Sequence, residues 1–406
     1  MDDIRIGHKT LHLKQSVSRI PDKRKVQRYL KSPELGPSLL FFSGGSALDN
    51  TSRCLKQYTH NSIHLITPFD SGGSSAKLRK AFNMPAVGDV RARLMALADD
   101  TALGHPEIFT LFKYRLPTDQ SQEELKSTVK MMQSGKHRMV KSTLEPMRSL
   151  ICDYLQSFLK AAPDDFDYRG ASIGNLILTG GYLNHDRSLD PITFLFSKLV
   201  NVRGIVRTIT DEDFELKATL SDGSCVVGQH NITAKETEPL NKKIVKLTLA
   251  EHQDTPESQA SSRIRKQNKR LIKEADLLVF PPGSFYSSLV ANLLPKGVGK
   301  SALTSAAPRV FIPNLGNDPE LFDTDLREQI DALNKAICDD AGRDADHVMS
   351  IDIVLTDSAL HQGITPAILD YIEVRGIQLL DIDLRNARST EHYDEQKLIE
   401  ALLSLT

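Results

Sequence analysis

The stretch IHLITPFDSGGSSAKLRKAF, residues 63–82, joins an apolar, β-branched run to a basic segment through a turn rich in glycine and serine. Residues 63–69 predict a buried strand, and residues 76–82 predict a helix. A helix start exposes N–H groups that lack internal partners and carries partial positive charge, so it favours an anion. The turn either seats an anion against its glycines or is a plain tight turn in which Ser74 or Ser75 caps the helix.

The same order of strand, turn and helix occurs twice more along the chain. SLLFFSGGSALDNTSRCLKQY, residues 38–58, predicts a strand that ends at Phe42 and a helix through Tyr58. ADLLVFPPGSFYSSLVANLL, residues 275–294, predicts a strand to Phe280 and a helix from Phe285. Short strands follow in RVFIPNLGND, SIDIVLTDS and IQLLDIDL. Strands that alternate with helices indicate an α/β fold: a three-layer, Rossmann-like sandwich with a mostly parallel sheet.

Turns that follow parallel strands lie at the carboxyl edge of the sheet, where ligands bind at the reversal of strand order. We therefore expect the turns near residues 44, 72 and 283 to face one crevice and to offer backbone N–H donors to phosphates. The donor residues predicted from these three turns are Gly44, Gly45, Ser46, Gly72, Gly73, Ser74, Ser75, Gly283 and Ser284.

Two segments interrupt the alternation of strands and helices. Residues 106–165 are helical by composition, and residues 201–250 are rich in Thr and Val with a turn at Asp222-Gly223, which predicts a small β-rich insertion with a hairpin. Residues 1–36 carry the basic run KRKVQRYLK, for which a surface helix is the default. The predicted organisation is an N-terminal extension (1–36) followed by one α/β domain (37–406) that carries both insertions.

Composition excludes several classes of protein. The 406 residues are 40% hydrophobic and 25% charged with a net charge of −1, so no global field attracts nucleic acid or an anionic membrane. No apolar run approaches the roughly 20 residues of a membrane span, and the N-terminus MDDIRIGHKT has no signal-peptide pattern. The four cysteines form no CxxC pair, which argues against zinc and a disulfide framework and favours the cytosol.

In this order, the motifs resemble the CofD/YvcK family, which contains 2-phospho-L-lactate transferases and gluconeogenesis factors. The resemblance rests on the glycine turn at residues 44–47, on FDSGGSSAKLR, on PAVGDVR (residues 85–91), on ASIGNLILTG and on the block from 275 to 294. It covers about residue 38 to the C-terminus. Where the family commonly has two adjacent aspartates, this chain has Asp70-Ser71. The long helical insertion resembles the CofD-like branch of the GAK peptide-modification cassette.

The resemblance implies a nucleotide diphosphate or nucleotide-sugar ligand, and it adds residues to the predicted binding site. Asp70 and Asp89 are the candidate Mg²⁺ ligands, since magnesium takes few carboxylates together with phosphates and water; capping of the next turn is the alternative role. Arg91 either binds a phosphate or pairs with a carboxylate. Tyr286 either stacks on a base or packs in the core. Asn175 either bonds a ligand or bonds the adjacent glycine turn. Asn314, at a strand end on the same edge, is the candidate contact for a base or ribose.

Two classes of function remain open at this stage. One is a nucleotide-binding regulator without turnover, associated with a cassette; the other is a phospholactate-transferase-like enzyme that uses a divalent metal, with Asp70 as the candidate catalytic residue. The single carboxylate at Asp70-Ser71 favours binding over transfer. A homodimer and partner proteins encoded in the same cassette are both compatible with either class.

Overall fold

A computed structural model of the chain describes residues 20–101, 104–234, 238–251, 260–360 and 363–406. Its strands, in chain order, are β1 (Leu39–Ser43), β2 (Ile63–Ile66), β3 (Ile205–Thr208), β4 (Glu215–Leu220), β5 (Cys225–Val227), β6 (Ile244–Ala250), β7 (Leu277–Phe280), β8 (Arg309–Phe311), β9 (Ile353–Thr356), β10 (Gln378–Asp381), β11 (Arg385–Asn386) and β12 (Ser389–Tyr393).

The α-helices, in chain order, are α1 (Lys23–Lys31), α2 (Asp49–Leu55), α3 (Gly73–Phe82), α4 (Gly88–Leu97), α5 (Pro106–Lys113), α6 (Gln122–Gln133), α7 (Arg138–Lys141), α8 (Met147–Ala161), α9 (Ile173–Asn184), α10 (Leu189–Leu199), α11 (Gln229–Ile232), α12 (Lys266–Glu274), α13 (Val298–Leu303), α14 (Leu326–Ala341), α15 (Pro366–Val374) and α16 (Glu395–Ser404).

Seven strands form the central sheet in the order β10-β9-β8-β7-β1-β2-β3, and every neighbouring pair is parallel. The chain first builds outward from β1 to β3 and then returns to the other side of β1 with β7. The order of strands therefore reverses between β1 and β7, which is the place where α/β sheets of this kind bind ligands. The α/β class and the parallel sheet predicted from the sequence are confirmed.

The central strands are buried on both faces, as parallel strands covered by helices require. Leu39 and Phe41 point to a core shared with α1, α2 and α16, while Leu40 and Phe42 point to a core shared with α12, α13, α14 and α15. This alternation follows from the two-residue period of a strand. Three layers result, with the sheet in the middle.

The segments that interrupt the alternation have separate structures. Within residues 106–165 lie α5, α6, α7 and α8, which pack with α9 and α10 into a further apolar cluster beside β2 and β3. Within residues 201–250, β4 pairs antiparallel with β5 and β6 as a small three-stranded sheet. One expectation is corrected here, because residues 205–208 form the edge strand β3 of the main sheet and do not join the small sheet.

The basic run near the N-terminus forms α1, whose Val26 and Tyr29 are buried in the core beside α16. Residues 1–19 of the predicted N-terminal extension, and residues 252–259 of the predicted exposed loop, lie outside the described residues. None of the helices described has the length and apolar character that crossing a membrane demands. The division into an extension, a domain and two insertions stays a prediction.

Candidate functional site at the carboxyl edge of the sheet

The first and third glycine turns meet where the strand order reverses. The first turn follows β1, and a β-carbon placed on Gly44 would collide with the Ser288 hydroxyl beyond the third turn. A β-carbon on Gly283 would lie 3.4 Å from the β-carbon of Ala47. Asn292 also donates to the Ser43 carbonyl oxygen at 3.0 Å, which fastens the segment after the third turn to the end of β1. The first and third turns therefore meet, and the single crevice expected for all three turns stays a prediction.

The second turn opens α3, but its cap differs from the alternative considered from the sequence. The helix begins at Gly73, and Gly72 takes the cap position without a side-chain hydrogen bond, so neither Ser74 nor Ser75 is the cap. Its first helical bond runs from Ala76 N to Gly72 O. The N–H groups of residues 73–75 therefore precede the hydrogen-bond ladder and have no acceptor within the helix.

Three helix starts converge next to these turns. A β-carbon placed on Gly88, at the start of α4, would lie 2.5 Å from Ser75 Oγ of α3 and 4.0 Å from Asn175 Nδ2 of α9. One placed on Gly45 would lie 2.6 Å from Asp89 Oδ1, so the first turn closes against the same point. We name residues 73–75, 88–90 and 173–175 the three-helix junction. The starts of three helices, each with partial positive charge on its first N–H groups, meet there, an arrangement that favours an anion such as phosphate.

Arg91 adds a cation to the edge of the junction. Its Nε donates to Asn175 Oδ1 at 2.8 Å and its Nη1 to the Phe112 carbonyl oxygen at 3.4 Å. No carboxylate in the described ranges forms an ion pair with Arg91, so the alternative of a structural salt bridge is not what the structure contains. Burial lowers the pKa of this guanidinium to about 10, which leaves it charged at neutral pH. Asn175 in turn donates to Ser74 Oγ at 3.5 Å.

Asp70 and Asp89 both lie at the junction, and their role as Mg²⁺ ligands stays a prediction. Asp70 Oδ1 accepts from Gly72 N at 3.2 Å, and its Oδ2 would lie 3.3 Å from a β-carbon on Gly88, the residue before Asp89. Within the ranges described, no group of three or more His, Cys, Asp and Glu side chains could hold a metal ion by itself. Two carboxylates fit magnesium, which takes its remaining ligands from phosphates and water.

The N–H group of Gly283, one of the two donors predicted for the third turn, already has an acceptor. Gly283 N donates to Asn314 Oδ1 at 2.7 Å, while Asn314 Nδ2 returns a bond to Gly283 O at 2.7 Å. Carboxylates also accept from the first N–H groups of the helical turn that follows. Phe285 N donates to Asp318 Oδ2 at 2.8 Å and Tyr286 N to Glu320 Oε2 at 2.7 Å. Asn314 therefore braces this turn, and the N–H group of Gly283 is not open to a phosphate. The contact of Asn314 with a base or ribose stays a prediction.

Tyr286 lies in the core. Its ring is 7% exposed and its hydroxyl donates to the Ile244 carbonyl oxygen of β6 at 3.0 Å. Burial raises the pKa of its hydroxyl to about 12. These contacts match the alternative of a packed tyrosine, and the predicted stacking on a base gains no support from them.

Two interactions at the site were not foreseen. The guanidinium of Arg93, 1% exposed, donates through Nη2 to Gly45 O at 2.9 Å and Gly44 O at 3.3 Å, so it holds the first turn from beneath. Ser71 Oγ lies 2.7 Å from His230 Nδ1, which joins the second turn to α11, the short helix that follows β5. Arg93 lies two positions after Arg91 in the run GDVRAR, and this position beside a recognised motif was a usable signal for the first. The second joins residues 159 positions apart and leaves no local pattern.

The parallel sheet and its glycine turns define the class as a Rossmann-like α/β protein, in which such edges serve ligands. Comparison with known proteins narrows this class. The family model described as 2-phospho-L-lactate transferase CofD matches residues 39–393, so the chain belongs to that family.

The individual proteins compared share between 22% and 28% sequence identity with this chain. The gluconeogenesis factor of Bacillus subtilis is 27% identical over 300 residues, 74% of this chain and 74% of that protein. A Nostoc relative is 28% identical over 284 residues, which cover 70% of this chain but 48%, about half, of the relative. A UPF0052-family crystal structure from Bacillus halodurans has a TM-score of 0.64 at 22% identity, covering 90% of this chain and 99% of that one, and shares the fold.

Proposed function

We propose that the chain binds a nucleotide diphosphate or nucleotide sugar, with the phosphates at the three-helix junction and without turnover. The convergence of three helix starts around Gly88 carries the proposal, because the N–H groups and the dipole at a helix start favour phosphate oxygens. Among these N–H groups, that of Ile173 already donates to the Tyr114 carbonyl oxygen. Arg91 supports the proposal because it places a partly buried positive charge at the edge of the three-helix junction. The ligand's base and sugar would extend from the junction toward the β1–β7 reversal.

A second candidate is transfer of a phosphoryl-linked group from a nucleotide diphosphate donor, which the name of the matching family model favours. Asp70 and Asp89 would then hold Mg²⁺ together with the ligand phosphates, and the metal would neutralise charge that develops during transfer. The loss of one family carboxylate at Ser71 ranks this candidate second. The four free thiols agree with the cytosolic location that we propose for either activity.

Gly73 offers the sharpest test of the binding proposal. Its φ is +47°, and a β-carbon there would meet no atom within 4 Å, so a side chain would enter the space where the phosphates are proposed. Gly342, after α14, has φ +64° and is equally open, but it lies outside the junction. We expect G73L and G342L to lose similar stability, about 1–2 kcal/mol, from the left-handed backbone.

Isothermal titration with GDP, UDP and UDP-sugars, with and without magnesium, measures the affinity of both variants. We expect G73L to lose at least about 10-fold in affinity, or about 1.4 kcal/mol, while G342L keeps the native value. Equal affinity of G73L and the native chain would refute the proposed position of the phosphates. No heat with any of these nucleotides would refute nucleotide binding itself.

A further inference from the structure

A wide groove lies away from the three-helix junction, between α12, α13, α14 and β6. Its volume is about 1520 Å³, and it is lined by nine lysine and arginine side chains against three carboxylates. Six of these basic side chains lie on α12, on α13 or just before α13: Lys266, Lys269, Arg270, Lys273, Lys296 and Lys300. We name this feature the basic groove. Its charge contrasts with the net charge of −1 of the whole chain.

The three carboxylates of the basic groove are already engaged. Glu274 pairs with Arg270 at 3.6 Å and Asp339 pairs with Lys335 at 3.3 Å, each along its own helix. Asp340 accepts from the backbone N–H groups of Gly297 and Lys300. The other seven basic side chains form no ion pair with any residue in the ranges that the structure describes. The basic groove therefore presents a concentrated positive charge that the carboxylates of the described residues do not balance.

Part of the lining of the basic groove is apolar, and we name this part its floor. Val245 of β6 is 59% exposed there, and Leu294, Ala332 and Ala336 are partly buried beside it. An apolar floor between basic walls matches a helix that has one apolar face and acidic flanks. The volume corresponds to roughly three turns of a helix about 10 Å wide. An apolar face at i, i+3, i+4 and i+7 would fill it.

Two other occupants fit less well. A second copy of the chain, related by two-fold symmetry, would bring the same unpaired cations of both copies together. Single-stranded nucleic acid stacks its bases on aromatic side chains, and Tyr286, the aromatic residue that lines the basic groove, is 7% exposed. A partner that carries negative charge and an apolar stripe satisfies both the walls and the floor.

We propose that the basic groove binds an acidic amphipathic helix of a partner protein. The probe is a fluorescein-labelled synthetic helix of about 18 residues, with leucines on one face and glutamates elsewhere. A peptide of the same composition, with the leucines spread around the helix, is its control. We expect the amphipathic peptide to bind the full chain at least about 10-fold more tightly than the control, and its affinity to fall as NaCl rises from about 50 to about 300 mM.

The variant K266E/K273E tests the location, because both lysines are exposed on α12. K130E/K160E makes the same change of charge on α6 and α8, outside the basic groove. We expect at least about a 10-fold loss of peptide affinity in the first variant and native affinity in the second. V245D, on the floor, should weaken binding by a similar factor, with the native unfolding temperature as the check on folding.

Four outcomes would overturn the proposal. They are absence of peptide binding, equal binding of the rearranged peptide, native affinity of K266E/K273E, and tighter binding of a single-stranded oligonucleotide or of anionic lipid vesicles than of the peptide. Concentration-dependent dimerisation that K266E/K273E abolishes would assign the basic groove to a second copy of the chain instead. None of these outcomes depends on nucleotide binding at the three-helix junction.

Discussion

Replacing Glu320 with glutamine would test the charge that braces the third glycine turn. Glu320 is 1% exposed, and its Oε2 accepts from Tyr286 N at 2.7 Å and from Ser287 N at 2.8 Å. Ser287 Oγ also donates to the other oxygen, Oε1. Glutamine keeps the shape and one carbonyl oxygen for the two N–H groups, and its NH₂ group can donate to Ser287 Oγ. The substitution therefore removes the charge and retains the contacts.

The expected magnitude follows from burial. Burial, and then the negative charge of Asp318, raise the pKa of Glu320 from 4.5 to about 7. A carboxyl group whose pKa is raised in the folded state binds its proton more tightly there than in the unfolded chain. The stability that this binding contributes is complete below about pH 4.5 and is lost as the pH rises through about 7. Each unit by which the pKa is raised corresponds to about 1.4 kcal/mol, so the free energy of unfolding falls by about 3 kcal/mol over this pH range. Glutamine does not ionise and avoids this loss.

Urea denaturation at about pH 5 and about pH 8 measures the effect. We expect E320Q to gain about 2–3 kcal/mol in free energy of unfolding over the native chain between these two pH values. E373Q, at an exposed position of α15, is the matched control and should show no such gain. A difference between E320Q and the native chain that stays constant with pH, or a variant less stable at the higher pH, would refute the reasoning.

Two further substitutions address the three-helix junction and the first turn. D70N removes one negative charge; we expect nucleotide affinity to change little, to need no magnesium, and to come with no release of GMP or UMP. A magnesium-dependent release that D70N slows at least about 100-fold would instead establish transfer. R93K leaves the carbonyl oxygens of Gly44 and Gly45 without their shared donor, so we expect a loss of about 2–4 kcal/mol in unfolding free energy. Thermal unfolding measures it, and an unchanged midpoint would contradict the bracing role of Arg93.

Much of the fold could be predicted because the strand signals are local. β1, β2 and β7 are short apolar runs that end in glycine or proline, and their all-parallel pairing follows from the helices between them. Edge strand β3 was assigned to the wrong sheet, because its residues IVRT have the same Thr and Val content as the small sheet that follows. Its first residue, Ile205, is 40% exposed, so β3 lacks the continuous burial that marks the central strands of the sheet.

The candidate site was harder to predict, because it depends on partners distant in the sequence. The glycine turns were identified by their position after strands, and the junction of α3 and α4 follows from that. Whether a backbone N–H group is free to bind a ligand depends, however, on which acceptors elsewhere in the chain lie within hydrogen-bond distance of it. Asp318 and Glu320 cap the segment after the third turn from more than thirty positions away, and no local pattern reveals that. For the same reason the orientation of Tyr286, into the core, could not be read from its motif.

The position of β1 in the sheet has a consequence for synthesis of the protein. β1 pairs with β2 soon after both leave the ribosome, but its other edge waits for β7, and Ser38 and Asp276 beside this pairing are 238 residues apart. At about 5–20 residues per second, the nascent chain holds that edge open for roughly 10–50 s. The waiting strand, LLFFS, is apolar on both faces and is therefore prone to pair with another chain. Fragments that end before β7 should accordingly aggregate more readily than the whole chain.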